Sequence, residues 1–503
     1  MQNNKNNNNK NNNNKNNNNK NNSNKNSTSL NGGKVIGSGG FGCVFKPAIK
    51  CKDEKRNEND DKITKLMKKK YANIEFKGIQ KYREMLKDVP NFSDYFLVEG
   101  FSNCEPDKLD DEDLIKFNKK CSALKKMKIT AENVNNSLKK LMSLNMPYGG
   151  VDVGDYIETN EMDYKKLNKM NISLIGLLKN GILPMNEKNI FHCDIKDSNI
   201  LVQEEESGEV KTRLIDWGLS TVFKERNSIP KPLSGRPFQF NVPFSVILFN
   251  DTFTQMYTEF LKKNKEPSYF ITRSFVINYV VTWINKRGPG HLKSLNSIFK
   301  SFFERGLINI EKQFKDDIIE FEYTFYFIFE YISYVVFKFT KDGKFDRMKY
   351  FSEVFLKNLD VWGLIMTYLP ILEYLDSYYD ELHECELEII EKIKTVVLYA
   401  IECSYVPIDC DKVIKHLDEL NLLFLKADKL STVHFKEKRA TSSTKQSNSK
   451  TSFKTKTNSK TNSKSMSKSN SSVASSSSAS GSKTRKNSGK SSSKTRRNTT
   501  QIK

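Results

Sequence analysis

The octapeptide His192-Cys193-Asp194-Ile195-Lys196-Asp197-Ser198-Asn199 packs several chemically able side chains into one short stretch. Asp194 can accept a hydroxyl proton, Lys196 can neutralise phosphate charge, and Asn199 can offer an amide oxygen to a divalent cation. Further on, Leu214-Ile215-Asp216-Trp217-Gly218 places a second carboxylate at the end of an apolar run. The runs Asn199–Gln203 and Val210–Ile215, joined by a turn at Ser207-Gly208, predict a hairpin that returns Asp216 to the neighbourhood of Asn199. Each of these residues alone is equally at home in a turn or a cap. Their order and spacing carry the reading: a base, a cation and two Mg2+ ligands, Asn199 and Asp216, are the parts of a phosphoryl-transfer site.

A second constellation lies near the start. Gly37-Ser38-Gly39-Gly40-Phe41-Gly42-Cys43-Val44, preceded by Ile36, fits G-x-G-x-x-G-x-V. Alone it is a weak signal, compatible with a dinucleotide fold whose glycine turn opens a helix or with a hairpin that covers the phosphates of ATP. Val44-Phe45 is strand-like and Lys46-Pro47 is poor for a helix, so the hairpin is the better reading. Lys65 follows, centred in the apolar run Ile63–Met67. A lone strand lysine usually points to water, but after such a hairpin it can reach phosphates if a carboxylate holds it. Glu75 is the expected partner, because Ile79 and Tyr82 turn its helix face inward. Glu84 is the alternative, and a solvated helix charge is its ordinary role.

These residues need elements to hold them. The pattern predicts strands around the glycine turn over Lys34–Ile49, a strand at Ile63–Met67, a helix over Ala72–Leu86 and strands at Tyr95–Glu99 and Lys140–Asn145. Met146 to Gly150 reads as a hinge or turn. After Tyr164 the spacing of Leu167, Met170, Leu174, Ile175 and Leu178 is helical, and helices predominate to about residue 430. The expected architecture is α+β in two lobes: 31–150 strand-rich, 151–439 helical with an inserted helical segment 245–350, and disordered tails at 1–30 and 440–503.

Composition separates the tails from the body. The formal charge is +22, and residues 1–30 and 440–503 hold +20 of it, with no acidic residue in either. The middle is nearly balanced, which excludes a uniformly basic nucleic-acid-binding body. The C-terminal tail is left as an arm for a weak anionic partner, or as compositional drift. Tyr323–Phe337, interrupted by Glu330, falls short of the roughly 20 apolar residues of a membrane span and predicts a buried aromatic helix instead. The eight cysteines show no C-x-x-C pair and no export signal precedes them, so reduced thiols in an intracellular compartment are expected, with neither a disulfide framework nor a zinc site.

Taken together, the glycine hairpin, the strand lysine, H-C-D-I-K-D-S-N and D-W-G resemble the eukaryotic-type protein kinases, and Lys196 resembles the serine/threonine class. The resemblance runs from about Ile36 to Leu364, where Leu359-Asp360-Val361-Trp362-Gly363-Leu364 is similar to the block that opens the family's buried central helix. It implies a two-lobed fold, ATP and Mg2+ as cofactors and a protein acceptor of unspecified identity. Residue by residue, it implies phosphate cover by Ile36–Val44, phosphate orientation by Lys65 with Glu75, Asp194 as base, Lys196 beside it, Asn199 and Asp216 on the metal, and Asp360 bonded to the catalytic-loop backbone. Three features depart from the family. Cys193 stands where an arginine usually receives an activation-loop phosphate, Trp217 replaces a phenylalanine, and Asn241-Val242-Pro243-Phe244 stands roughly where A-P-E belongs. With the Asn/Lys-rich start and Arg236–Ser245, the chain further resembles serine/threonine kinases of giant DNA viruses of the mimivirus type, which implies host cytoplasm or virus particle as its location. A pseudokinase scaffold, a tail-driven binder of polyanions and a small-molecule kinase are the alternatives.

Overall fold

Alternating burial makes the first three strands. In β1 (Lys34–Ser38), β2 (Gly42–Lys46) and β3 (Lys62–Lys68), Val35, Cys43, Phe45 and Leu66 are buried while Val44 and Lys65 stay accessible. That is the period-2 pattern of a sheet face, and in β3 Ile63 and Met67 are buried as well, Met67 against Ala72 and Met142, so the second face is covered in part. The computed structural model describes residues 34–52, 61–158, 162–224 and 228–431. The two expected tails and most of the Lys50–Asp61 loop lie outside these described residues. Helix α1 (Lys69–Leu86) follows β3 directly and buries Ala72, Ile79, Tyr82 and Leu86. With β4 (Ser102–Cys104) and β5 (Leu141–Pro147) the strands form an antiparallel sheet in the order β1-β2-β3-β5-β4.

Two expectations need correction in this region. Tyr95–Glu99 is not a sheet strand. Phe92–Tyr95 is a helical turn, and Phe96, Leu97 and Val98 are buried in a connection whose Leu97 amide donates to Leu214 O at 3.0 Å. Its apolar run serves burial rather than pairing, and the edge strand is Ser102–Cys104. The thiols of the sheet are not reduced either: Cys43 bridges Cys121 and Cys51 bridges Cys104, with Cα separations of 5.3 and 5.8 Å. The partners lie 78 and 53 residues apart, so no local spacing signals them; the sheet brings them together. Cys121 belongs to a small layer over the hairpin, built from helical turns Phe117–Lys120 and Ser122–Lys125. Its Phe117, Leu124, Ile129 and Val134 form a separate apolar cluster with Val35, Cys43 and Phe45.

Gly149 and Gly150 lead from β5 to the two-residue strand β6 (Val151–Asp152). Gly150 has φ +96°, and a Cβ there would meet the Val202 carbonyl oxygen at 1.9 Å, so this passage needs glycine. Beyond it, α2 (Tyr164–Gly176) buries Leu167, Met170, Leu174 and Ile175, as its spacing predicts. A short strand β7 (Ile190–Phe191) precedes the octapeptide. The expected hairpin is β8 (Ile200–Glu204) with β9 (Val210–Leu214), to which β6 adds a third strand.

The segment 245–350 folds mainly as helices, including α3 (Asp251–Lys263), α4 (Tyr269–Arg287), α5 (Leu292–Phe303) and α6 (Phe325–Lys338). Phe253 stacks on Tyr257 and Phe275 on Tyr279, and α6 buries Ile328, Tyr331, Ile332, Val335 and Val336. Glu330, the residue that interrupts the apolar run, is held by Arg273 at 2.5 Å. These side chains join the same core as α7 (Leu356–Met366), every residue of which is buried except Lys357. Helices α8 (Glu384–Glu402) and α9 (Cys410–Ser431) close the described residues. The chain is thus mixed α+β, strand-rich at its N-terminal end and helical beyond. Among the described residues no helix is long and apolar enough to cross a membrane.

Candidate functional site

The register of β2 and β3 pairs Val44 with Lys65, which puts both on the accessible face, opposite buried Cys43 and Leu66. Lys65 Nζ meets Glu75 Oε1 of α1 at 2.6 Å, with both side chains only partly exposed. The alternative carboxylate, Glu84, pairs with Lys87 on the open face of the helix. Above Lys65 runs the β1–β2 hairpin. A Cβ on Gly39 would lie 3.8 Å from Lys65 Cε, and one on Gly42 would collide with the Leu66 carbonyl oxygen at 2.7 Å. Position 39 thus lies over the lysine with room for ordinary contact, and Gly42 lets the strands approach. Ile36 and Phe41 are exposed, and Phe41 rests against Tyr71 at the tip. Ser38 turns instead to the overlying layer, where its Oγ accepts from Ala123 N at 3.1 Å.

The octapeptide is fixed from below by Asp360. This residue lies within α7 rather than at its cap, wholly buried, and its carboxylate accepts the backbone N–H groups of His192 and Cys193 at 2.8 and 2.9 Å. Burial pushes the Asp360 carboxyl upward, opposed by those bonds and by neighbouring His192 and Arg236. The bonds hold Cys193 at φ +64°, a conformation that a non-glycine residue adopts at a cost. The Cys193 thiol itself is buried, and burial and the Asp360 charge push it well up.

Asp194 follows, 9% exposed. Lys196 Nζ lies 3.3 Å from its Oδ2, and Asn199 Nδ2 donates to its carbonyl oxygen at 2.7 Å and to Oδ2 at 3.1 Å. Asn241 Nδ2 donates to its Oδ1 at 2.9 Å and to Ile195 O at 3.2 Å. Burial works against the charged carboxylate, but Lys196, the Asn241 amide and the Arg236 charge outweigh it and hold the group below the usual range. Asp194 is thus an ionised carboxylate in a mostly dry setting, able to accept a proton. Asp216 joins this set through the backbone, since the Ile215 N–H donates to Asn199 O at 3.0 Å. It sits in the left-handed region at φ +63°, and its Oδ1 accepts from Gly218 N at 3.3 Å. Trp217 stacks on Tyr82 of α1 and meets Phe96 and His192 edge to face, so one aromatic column links the helix of Glu75 to the octapeptide.

Each residue singled out by sequence therefore has a place. Lys65 meets Glu75, Asp194 meets Lys196 and Asn199, and Asp216 follows Ile215, whose N–H bonds Asn199 O, while its own carboxylate accepts from Gly218 N. Among the described residues no group of three or more His, Cys, Asp or Glu side chains could hold a metal. The hard oxygens of Asn199 and Asp216 fit Mg2+, which takes few protein ligands and completes its shell with water and phosphate oxygens. Sequence reading missed the donors Asn241 and Arg236. Asn241 was visible only as a poor match to A-P-E, and nothing in local spacing joins it to Asp194, 47 residues away. No model of a known protein family matches the chain, and neither does any curated protein.

Proposed function

We propose that this chain is an ATP-dependent protein serine/threonine kinase with the two-lobed kinase fold. The observation that carries the reading is the Lys65–Glu75 pair at 2.6 Å beneath a glycine hairpin, in a chain that also joins Asp194 to Lys196 and Asn199. In this reading the hairpin covers the nucleotide phosphates, and Glu75 aims Lys65 at them. Asp194 accepts the proton of a serine or threonine hydroxyl as its oxygen bonds to the γ-phosphorus. The bond from that phosphorus to the β-phosphate oxygen breaks, and ADP leaves with the electron pair. Lys196, already beside Asp194, offsets charge on the transferring group. Asn199 and Asp216 would hold Mg2+, which supplies electrostatic neutralisation of the phosphates when bound. The test is transfer of labelled γ-phosphate by the full chain with Mg2+ to a generic basic protein, followed by identification of the labelled residue. Label on serine or threonine that depends on Mg2+ is expected; label on neither, from folded protein, counts against the reading.

A second reading, a pseudokinase scaffold, draws on one feature: Asp194 is largely buried and already receives donors from Asn199 and Asn241. Stabilisation by ATP without any transfer would favour it. The resemblance to giant-virus kinases bears on location. Disulfides persist in oxidising surroundings, so the two bridges of the sheet fit a virus particle better than host cytoplasm.

A further inference from the structure

The stretch Gly235–Asn241, which delivers Asn241 to Asp194, is gripped along its length by donors from elsewhere. The Gly235 carbonyl accepts Arg287 Nε at 2.9 Å, and that of Arg236 accepts Trp283 Nε1 at 3.1 Å. The Phe238 carbonyl accepts the His291 backbone N–H at 2.9 Å, and that of Phe240 accepts Trp362 Nε1 at 2.8 Å. Three of these four donors belong to the inserted helices, on α4 and the turn that follows it. That turn fits closely: Gly290 has φ +58°, and a Cβ there would lie 2.1 Å from the Phe238 carbonyl oxygen. The His291 ring then rests on Phe240 at 5.5 Å. From inside the stretch Arg236, 6% exposed, donates through Nη1 to the Cys193 carbonyl at 2.7 Å and through Nε to Pro232 O at 2.6 Å.

This polarity is inverted with respect to loop phosphorylation. Position 193 carries a thiol, so the residue before Asp194 offers no cation to a phosphate. The cation comes instead from the stretch itself, and its acceptor is the backbone beside Asp194. Two hydroxyls of the preceding loop are engaged as well: Ser220 is buried with its Oγ donating to His192 O at 3.3 Å, and Ser234 Oγ donates to Phe249 O at 3.3 Å, whereas Ser228 is exposed. We propose that the inserted helices permanently brace Gly235–Asn241, with Arg236 as a positioning residue for Asp194, so that the site works without a phosphate on the preceding loop. The proposal rests on the kinase reading for its functional half and on packing alone for its structural half.

The two halves separate in one experiment. The full chain is stripped with phosphatase, checked by intact mass, and compared with Trp283→Phe, which keeps an aromatic ring but loses the N–H donor. Arg236→Lys is run beside them, keeping the charge without the two-pronged grip. Hydrogen exchange at 235–241 and steady-state transfer are both read. The brace predicts slow exchange at 235–241 in the phosphate-free chain and faster exchange in Trp283→Phe. It predicts full transfer by the phosphate-free chain, and in both variants a kcat lowered roughly fivefold, the worth of one buried hydrogen bond, with KM for ATP unchanged. Fast exchange in the phosphate-free chain, or exchange that Trp283→Phe leaves unaltered, overturns the brace. Transfer that is lost with phosphatase and returns on phosphorylation overturns its functional half. If no form transfers phosphate, the kinase reading fails while exchange still decides the brace.

Discussion

The hairpin and Lys65 at one end of the candidate site, and the Asp194 network at the other, are held by opposite means. Ile36 and Phe41 are 44% and 49% exposed, and Lys65 has one ion pair in a partly wet setting. Around Asp194, by contrast, Asp360, Arg236 and Asn241 are 6% exposed or less and bonded to backbone groups at 2.6 to 3.2 Å. The difference follows from the two tasks in the proposed reaction. A part that must admit and release a nucleotide gains from exposure and few bonds. A part that must hold a base within hydrogen-bond reach of a hydroxyl gains from a rigid, dry surround. The sheet then takes its firmness from elsewhere: its two disulfides tie the hairpin and the edge strand from behind.

The comparison breaks most readily at Asp360. Asp360→Ala strands two buried N–H groups and releases a strained Cys193, so a loss of about 3 kcal/mol or more in unfolding free energy is expected in denaturant titration, with no measurable transfer. A variant of wild-type stability would mean that the octapeptide is held by other contacts. The sheet offers the next test. Closing loops of 53 and 78 residues stabilises by at most about 4.5 kcal/mol each, so reductant should lower the melting temperature, and alkylation in denaturant without reductant should leave four cysteines unmodified. Eight modified cysteines would refute the bridges.

Lys65→Met sharpens the contrast from the other side. Its ion pair is partly solvated and contributes little to stability, so the melting temperature should hardly move, whereas kcat/KM for ATP should fall about a hundredfold. The smallest effect concerns pH. Asp152, the cap that accepts Asp155 N at 2.9 Å, is pushed up to about 6 by burial and by the charges of Asp155 and Asp197. A raised carboxyl contributes stability that is complete below its unfolded value and lost as pH rises through about 6. Asp152→Asn keeps the cap and should therefore melt higher than wild type at pH 8, with the gap closing toward pH 4. For Asp194 the sign is opposite. Its depressed pKa keeps it ionised, so the acid limb of activity should lie below the ordinary aspartate range.

Local spacing revealed the parts of the site that are neighbours in sequence or share one element. The octapeptide, the hairpin and the inward face of α1 all follow from periodicity, as does the choice of Glu75 over Glu84. Asp360 was visible through its resemblance to a known block, though only folding shows it bonded to His192 and Cys193. Cys43 to Cys121, Asn241 to Asp194 and Trp283 to Arg236 were not legible, because each joins elements whose adjacency is decided by tertiary packing. Tyr95–Glu99 misled for a related reason: Phe96, Leu97 and Val98 are apolar because they are buried, and burial alone does not tell a strand from a packed connection.

The most direct test of the central claim compares Asp194→Asn with wild type in two readouts on the same protein, ATP-induced thermal stabilisation and γ-phosphate transfer. If nucleotide is held at the Lys65 end and the proton is taken at the Asp194 end, stabilisation by ATP with Mg2+ should persist while transfer falls by a factor on the order of 10² to 10⁴. Transfer at the wild-type rate by Asp194→Asn would contradict the account.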